Sequence, residues 1–164
     1  MRYLEIDKAS INNGMGIRCV LFVSGCNHCC LGCHNSNSWD FNCGNIFTKE
    51  TEDKILKYLA KPEVDGITFS GGDPLAFSNR NDILKFAKRI KEELPHKNIW
   101  CYTGYTWEEL DGIDLSCIDV LVDGEFELNN RDITLAFRGS SNQRIIDVKA
   151  SLDNNKVVLF NLKE

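Results

Sequence analysis

The sequence predicts an α/β fold with mainly parallel strands and a C-terminal hairpin extension. Three observations lead there: short apolar runs alternate with segments of helical period, several of those runs end in glycine-bearing loops, and the tail breaks the alternation. No repeat, low-complexity tract or flexible linker divides the chain, so a single domain over residues 1–164 is expected.

The first strand is Cys19-Val20-Leu21-Phe22-Val23, running into Ser24-Gly25-Cys26. Thr48 suits a helix N-cap, with Glu50, Glu52 and Asp53 at the positive end of the helix dipole. Ile55, Leu56 and Leu59 give that helix an apolar face before Pro62 interrupts. The next strand, Ile67-Thr68-Phe69-Ser70, ends in Gly71-Gly72-Asp73-Pro74. A helix follows, with Ile83, Ala87, Ile90 and Leu94 at helical spacing and Pro95 beyond its end. Ile99–Tyr102 is the third strand, ending at Thr103-Gly104; a short helix near Trp107–Leu110 precedes the fourth, Val120–Val122, ending at Asp123-Gly124. In the tail, residues 145–148 and 157–160 flank Asp153-Asn154-Asn155, a turn composition that predicts the hairpin. The unusual residues all follow the C-terminal ends of strands, the edge on which parallel α/β folds build their sites.

Composition narrows the function classes. A net charge of −5 without a basic stripe argues against nucleic acid as a partner. No apolar run is long enough to cross a bilayer, and Met1–Asp7 is too polar to open a signal peptide, so no membrane partner and a cytoplasmic location are expected. Four of the eight cysteines fall between positions 26 and 33, which favours a metal site over a disulfide framework.

Residues 26–33 read Cys-Asn-His-Cys-Cys-Leu-Gly-Cys and allow two groupings. Cys26, Cys29, Cys30 and Cys33 contain two Cys-x-x-Cys pairs, as zinc sites do. Zinc ribbons, however, separate their pairs by roughly 15–20 residues, whereas here the pairs abut. His28 could replace one thiolate, which keeps zinc as the alternative. The other grouping, Cys26-x-x-x-Cys30-x-x-Cys33, leaves Cys29 as a bystander. Three thiolates can hold three irons of a 4Fe-4S cluster and leave the fourth iron open for substrate chemistry, where fully ligated clusters take four cysteines. Cys19, Cys101 and Cys117 read as buried small hydrophobes, and Cys43, like Cys29, has no assigned role.

The three-cysteine motif in the first βα loop, with Gly71-Gly72-Asp73-Pro74 after the next strand, resembles the radical S-adenosylmethionine (SAM) superfamily. The resemblance implies an incomplete (β/α) barrel and metal ligation by Cys26, Cys30 and Cys33, which with SAM form the catalytic centre. It also implies that SAM chelates the open iron and that the Gly-Gly-Asp-Pro segment binds its amino group; glycines there let backbone approach a ligand. Where that family carries an aromatic before the third cysteine this chain has Gly32, so adenine contact passes to His34. Thr103 and Asp123, at strand ends, are further SAM-binding candidates.

Val23-Ser24-Gly25-Cys26, His34–Trp39, Trp100–Tyr105, Val120–Gly124 and Arg138-Gly139-Ser140-Ser141-Asn142-Gln143 together resemble one branch of the superfamily, the activases of anaerobic ribonucleoside-triphosphate reductase. That resemblance, over roughly residues 5–148, implies reductive cleavage of SAM and formation of a glycyl radical on the reductase. It further implies a low-potential electron donor such as flavodoxin or ferredoxin. The alternatives are activation of another glycyl-radical enzyme, radical chemistry on a small molecule, or a non-catalytic zinc-binding module.

Overall fold

The computed structural model describes residues 1–162; the last two residues of the expected 1–164 unit lie outside it. A seven-stranded mixed sheet forms the framework, in the order β3-β1-β2-β4-β5-β6-β7. Its middle is the expected parallel set: β2 (Arg18–Val23), β4 (Gly66–Gly71), β5 (Asn98–Tyr102) and β6 (Val120–Asp123). These strands are apolar on both faces, as burial on both sides of a parallel sheet demands. Antiparallel strands flank them. β1 (Arg2–Ser10) pairs with β2, β3 (Asn45–Ile46) with β1, and β7 (Arg144–Asp147) with β6.

Two helices cover one face. In α1 (Lys49–Leu59), Thr48 accepts a hydrogen bond from the Thr51 amide, the N-cap expected from sequence. α2 (Arg80–Glu93) ends ahead of Pro95. Their apolar stripes, Ile55, Leu56 and Leu59 on one and Ile83, Phe86, Ala87 and Ile90 on the other, pack on Leu21, Val23, Phe69, Ile99 and Cys101. The opposite face carries a smaller cluster of Trp100, Val120, Val122 and Ile145, against which Met15, Phe137 and Phe160 pack. Arg18 is fully buried on this side. Its guanidinium donates to Thr68 Oγ1, the Asn98 side chain and the carbonyls of Met15, Ile67 and Asn98.

The C-terminal expectation needs correction. Residues 153–155 do not form a hairpin turn; they close a helix, α3 (Val148–Asn154). The Asp147 carboxylate caps it by accepting from the Ala150 amide at 2.9 Å, and Asn155 ends it in the left-handed region. The chain still returns beside β7, through the Ile146–Leu159 bridge and the Asp147 N to Val158 O bond. A local side-chain cap outcompetes the turn because it satisfies a helix N–H that the turn would leave to water.

Candidate active site

Backbone hydrogen bonds fuse the two signature loops. At the end of β2, the Gly25 amide donates to Ser38 O at 2.7 Å and the Cys26 amide to Trp39 O at 3.0 Å. Gly25 has φ +98°, and a Cβ there would stand 1.9 Å from the Phe41 ring, so only glycine fits. At the end of β4, the Gly72 amide donates to Val23 O and the Asp73 amide to Gly25 O, both at 2.8 Å. The buried Asn79 side chain adds bonds to Ser24 O and Asp73 O. The loop before the first cysteine and the Gly-Gly-Asp-Pro loop are thus tied to each other by hydrogen bonds.

Asp73 extends the connection to the next strand. It is 1% exposed and accepts from Thr103 Oγ1 (2.9 Å), the Gly104 amide (3.0 Å) and the Leu75 amide (2.8 Å). His28, between the first two motif cysteines, is clamped from two sides. Its Nε2 lies 2.9 Å from Asp73 Oδ2, an ion-pair distance without aligned hydrogen-bond geometry, and its Nδ1 lies 2.7 Å from Glu125 Oε1. Asp73 and then Glu125 push the imidazole pKa up to about 9 against the opposing effect of burial. The ring also packs edge-on against Tyr105, and a Cβ on Gly104 would strike it.

These loops enclose a cleft of about 730 Å³, within the size range of small-molecule sites. Cys26, Cys30 and Cys33 all line it, with Gly32, His34, Gly72 and Thr103. Cys29 and Cys43 are not among the lining residues. Cys29 adopts a left-handed φ of 50° and is exposed. Burial pushes the Cys26 thiol up to about 11 and raises Cys30 in the same direction, so a metal bound through them would have to displace their protons.

The remaining sequence candidates stand behind the wall. Gly71 (φ +97°) makes the bend, Pro74 is buried, and the Asp73 carboxylate is engaged within the protein. Asp123, also 1% exposed, accepts from Arg144 Nε and the Trp107 amide.

Sequence reasoning missed most of one wall, which residues 124–143 build between β6 and β7. Phe126, Ile133, Leu135 and Phe137 line the cleft there, with Arg131 and Arg138. The 138–143 stretch is tied to itself, Arg138 Nη1 donating to Gln143 O and Gln143 Oε1 accepting from the Gly139 amide. The readable signal was length, since an irregular segment of this size in a compact fold is usually functional. Asn12 and Asn13, from the β1–β2 connection, carried no such signal.

A family model described as a 4Fe-4S single cluster domain matches residues 12–146. An anaerobic ribonucleoside-triphosphate reductase-activating protein of Salmonella typhimurium is 48% identical over 148 residues, covering 87% of this chain and 96% of its own. Its namesake in Escherichia coli is 47% identical over the same shares, and that of Haemophilus influenzae 45% identical over 88% and 97%. The chain belongs to this activating-protein family.

The match to a 4Fe-4S single cluster domain supports an iron–sulfur cluster, and the donor set fits one. Among the described residues, no three His, Cys, Asp or Glu side chains are grouped so as to hold a single metal ion. A four-iron cube is larger than one ion, so thiolates at its corners stand apart. Three cysteine sulfurs around one cleft, with Gly32 at φ +77° between the last two, suit such a guest.

Proposed function

We propose that the protein is an activase that makes a glycyl radical on anaerobic ribonucleoside-triphosphate reductase, with a 4Fe-4S cluster on Cys26, Cys30 and Cys33 and SAM as its cofactors. The observation that carries this reading is the placement of those three thiols, without Cys29, in one strand-end cleft beside Gly72 and His34. Cys26, Cys30 and Cys33 would hold the cluster, which would supply the single electron for reductive cleavage of the SAM sulfonium carbon–sulfur bond to methionine and a 5′-deoxyadenosyl group able to take a hydrogen atom from a reductase glycine Cα.

The chain's own residues bind, orient and shield. Gly72 lines the cleft, and its missing Cβ lets the Gly25 backbone pack against it, since a Cβ there would stand 2.5 Å from Gly25 O; in this reading its loop binds the amino group of SAM. His34, which lines the cleft, contacts adenine in this reading, and Tyr102 and Phe137 give the cleft aromatic lining for excluding water. Asp73 and Asp123 act indirectly, by holding the loops that carry the contacts. In this reading residues 1–164 form one domain, a sheet curved into an incomplete (β/α) barrel. The unfilled side admits a loop of another protein. The protein works in the cytoplasm, with a low-potential flavodoxin or ferredoxin as electron donor.

The test is anaerobic reconstitution with iron and sulfide, addition of SAM and strong reductant, and quantification of 5′-deoxyadenosine and methionine. Wild type and Cys29→Ala are expected to form product and Cys30→Ala none, with a glycyl radical appearing on added reductase. Stoichiometric zinc, no broad visible absorption and no product would replace this reading with a metal-stabilised binding domain.

A further inference from the structure

A second groove, of about 490 Å³, opens beside the cysteine cleft and shares Asn12, Asn13, His34 and Asn35 with it. Leu4 and Glu5 of β1 and Phe22 of β2 also line it, together with Asn37 and Ser38 from the turn after the third cysteine, so its one carboxylate is that of Glu5. Both sides are braced. In the turn, the Ser38 amide and hydroxyl donate to Asn35 O at 2.9 and 2.6 Å, while Ser38 O accepts from the Gly25 amide. Opposite, Asn13 Nδ2 donates to Ser10 Oγ at 2.8 Å and Asn13 O accepts from Thr68 Oγ1 at 2.7 Å.

The lining has an unusual chemistry. Four of its side chains are asparagine amides, and those of Asn12, Asn35 and Asn37 make no hydrogen bond among the described residues. Each offers one acceptor oxygen and two donor hydrogens, the complement of a peptide backbone. No lysine or arginine lines the groove, so a phosphate would find no cation to pair with. A glycine has no side chain to recognise, so a protein that selects one must read the backbone on either side of it.

We infer that this amide-lined groove seats the extended, glycine-bearing segment of the reductase and feeds it past His34 to the cysteine cleft. This inference rests on the function proposed above. The groove's continuity with the cleft names its occupant: a segment bound there enters the site directly, and its glycine Cα needs no side-chain pocket. Leu4 and Phe22 supply the apolar floor on which the backbone lies.

The test uses cluster-loaded protein, intact anaerobic reductase, SAM and a strong reductant. The glycyl radical is titrated by electron paramagnetic resonance against reductase concentration, and 5′-deoxyadenosine is measured in the same samples. Two variants touch the groove outside the shared residues: Leu4→Trp, which fills it, and Asn37→Ala, which removes one amide at an exposed position and keeps the inference testable should the first misfold. Either is expected to raise the half-saturating reductase concentration at least tenfold for Leu4→Trp and about threefold for Asn37→Ala, and to lower radical yield per 5′-deoxyadenosine. Half-saturation within a factor of 1.5 of wild type, roughly the spread of such titrations and below any coupling of use, overturns the groove while leaving the activase reading intact. Loss of 5′-deoxyadenosine in variants that retain the cluster absorption would assign the groove to SAM and overturn it too. If wild type cleaves SAM but never forms the radical, the proposed function fails and the groove falls with it.

Discussion

At the residue scale, Asp73 is the most heavily committed side chain of the site. One carboxylate joins the β4, β5 and cysteine loops through Thr103, Gly104, Leu75 and His28. Asp73→Asn keeps the shape but removes the charge and turns one acceptor oxygen into a donor facing other donors. Breaking charged, buried hydrogen bonds of this kind costs about 2–3 kcal/mol. Urea unfolding of the metal-free protein is expected to show that loss, and an unchanged midpoint would mean the loops are held by backbone bonds alone. The adjacency of Asp73 to the glycine pair was visible in the sequence. Its inward commitment was not, because all of these partners but Leu75 lie some 30 to 45 positions away.

At the element scale, α3 shows how one cap decides between two local structures. Asp147→Ala removes the acceptor for the Ala150 amide. It is expected to cost about 1 kcal/mol, and in a chain of this size to lower Tm by about 2–4 °C. Thermal unfolding followed by circular dichroism checks this; a larger loss would mean the cap also holds the returning segment 157–160 beside β7. The central strands were legible because continuous apolar runs between breakers are strong local signals. β1 was not, since Glu5, Asp7 and Lys8 interrupt its pattern, and the two-residue β3 is too short to carry one. β1 exists because β2 offers a free edge, and β3 because β1 in turn offers one.

At the scale of the whole molecule, the buried core makes stability depend on pH. Burial pushes the Cys19 thiol up to about 12 and holds Cys101 well above its ordinary value. Below the ordinary thiol value of 9.0 both states keep these protons and the folded state's advantage is complete. As pH rises from about 9 towards 12, the unfolded chain releases them first, so stability falls, by up to about 1.4 kcal/mol per pH unit for each thiol. Unfolding of the metal-free protein at pH 8 and pH 10.5 is expected to show a decline that is shallower in Cys19→Ala. An equal slope in both would mean Cys19 ionises in the fold as freely as in water.

The sequence by itself determined the chemistry and the order of the central elements. The three-cysteine spacing, the glycine pair and the apolar runs are local patterns, and local geometry is enough to read them. Only the tertiary structure decided which groups face the cleft. Cys29 sits between motif cysteines in sequence yet outside the cleft lining, because its backbone turns left-handed there. Thr103 lines the cleft while Asp73 and Asp123 do not, because buried carboxylates must find donors, and theirs lie within the fold. The asparagine groove joins residues from both sides of β2, and no pattern within either segment announces the other. Contacts between residues distant in sequence are set by packing and by the satisfaction of buried polar groups, and these exist only once the chain has folded.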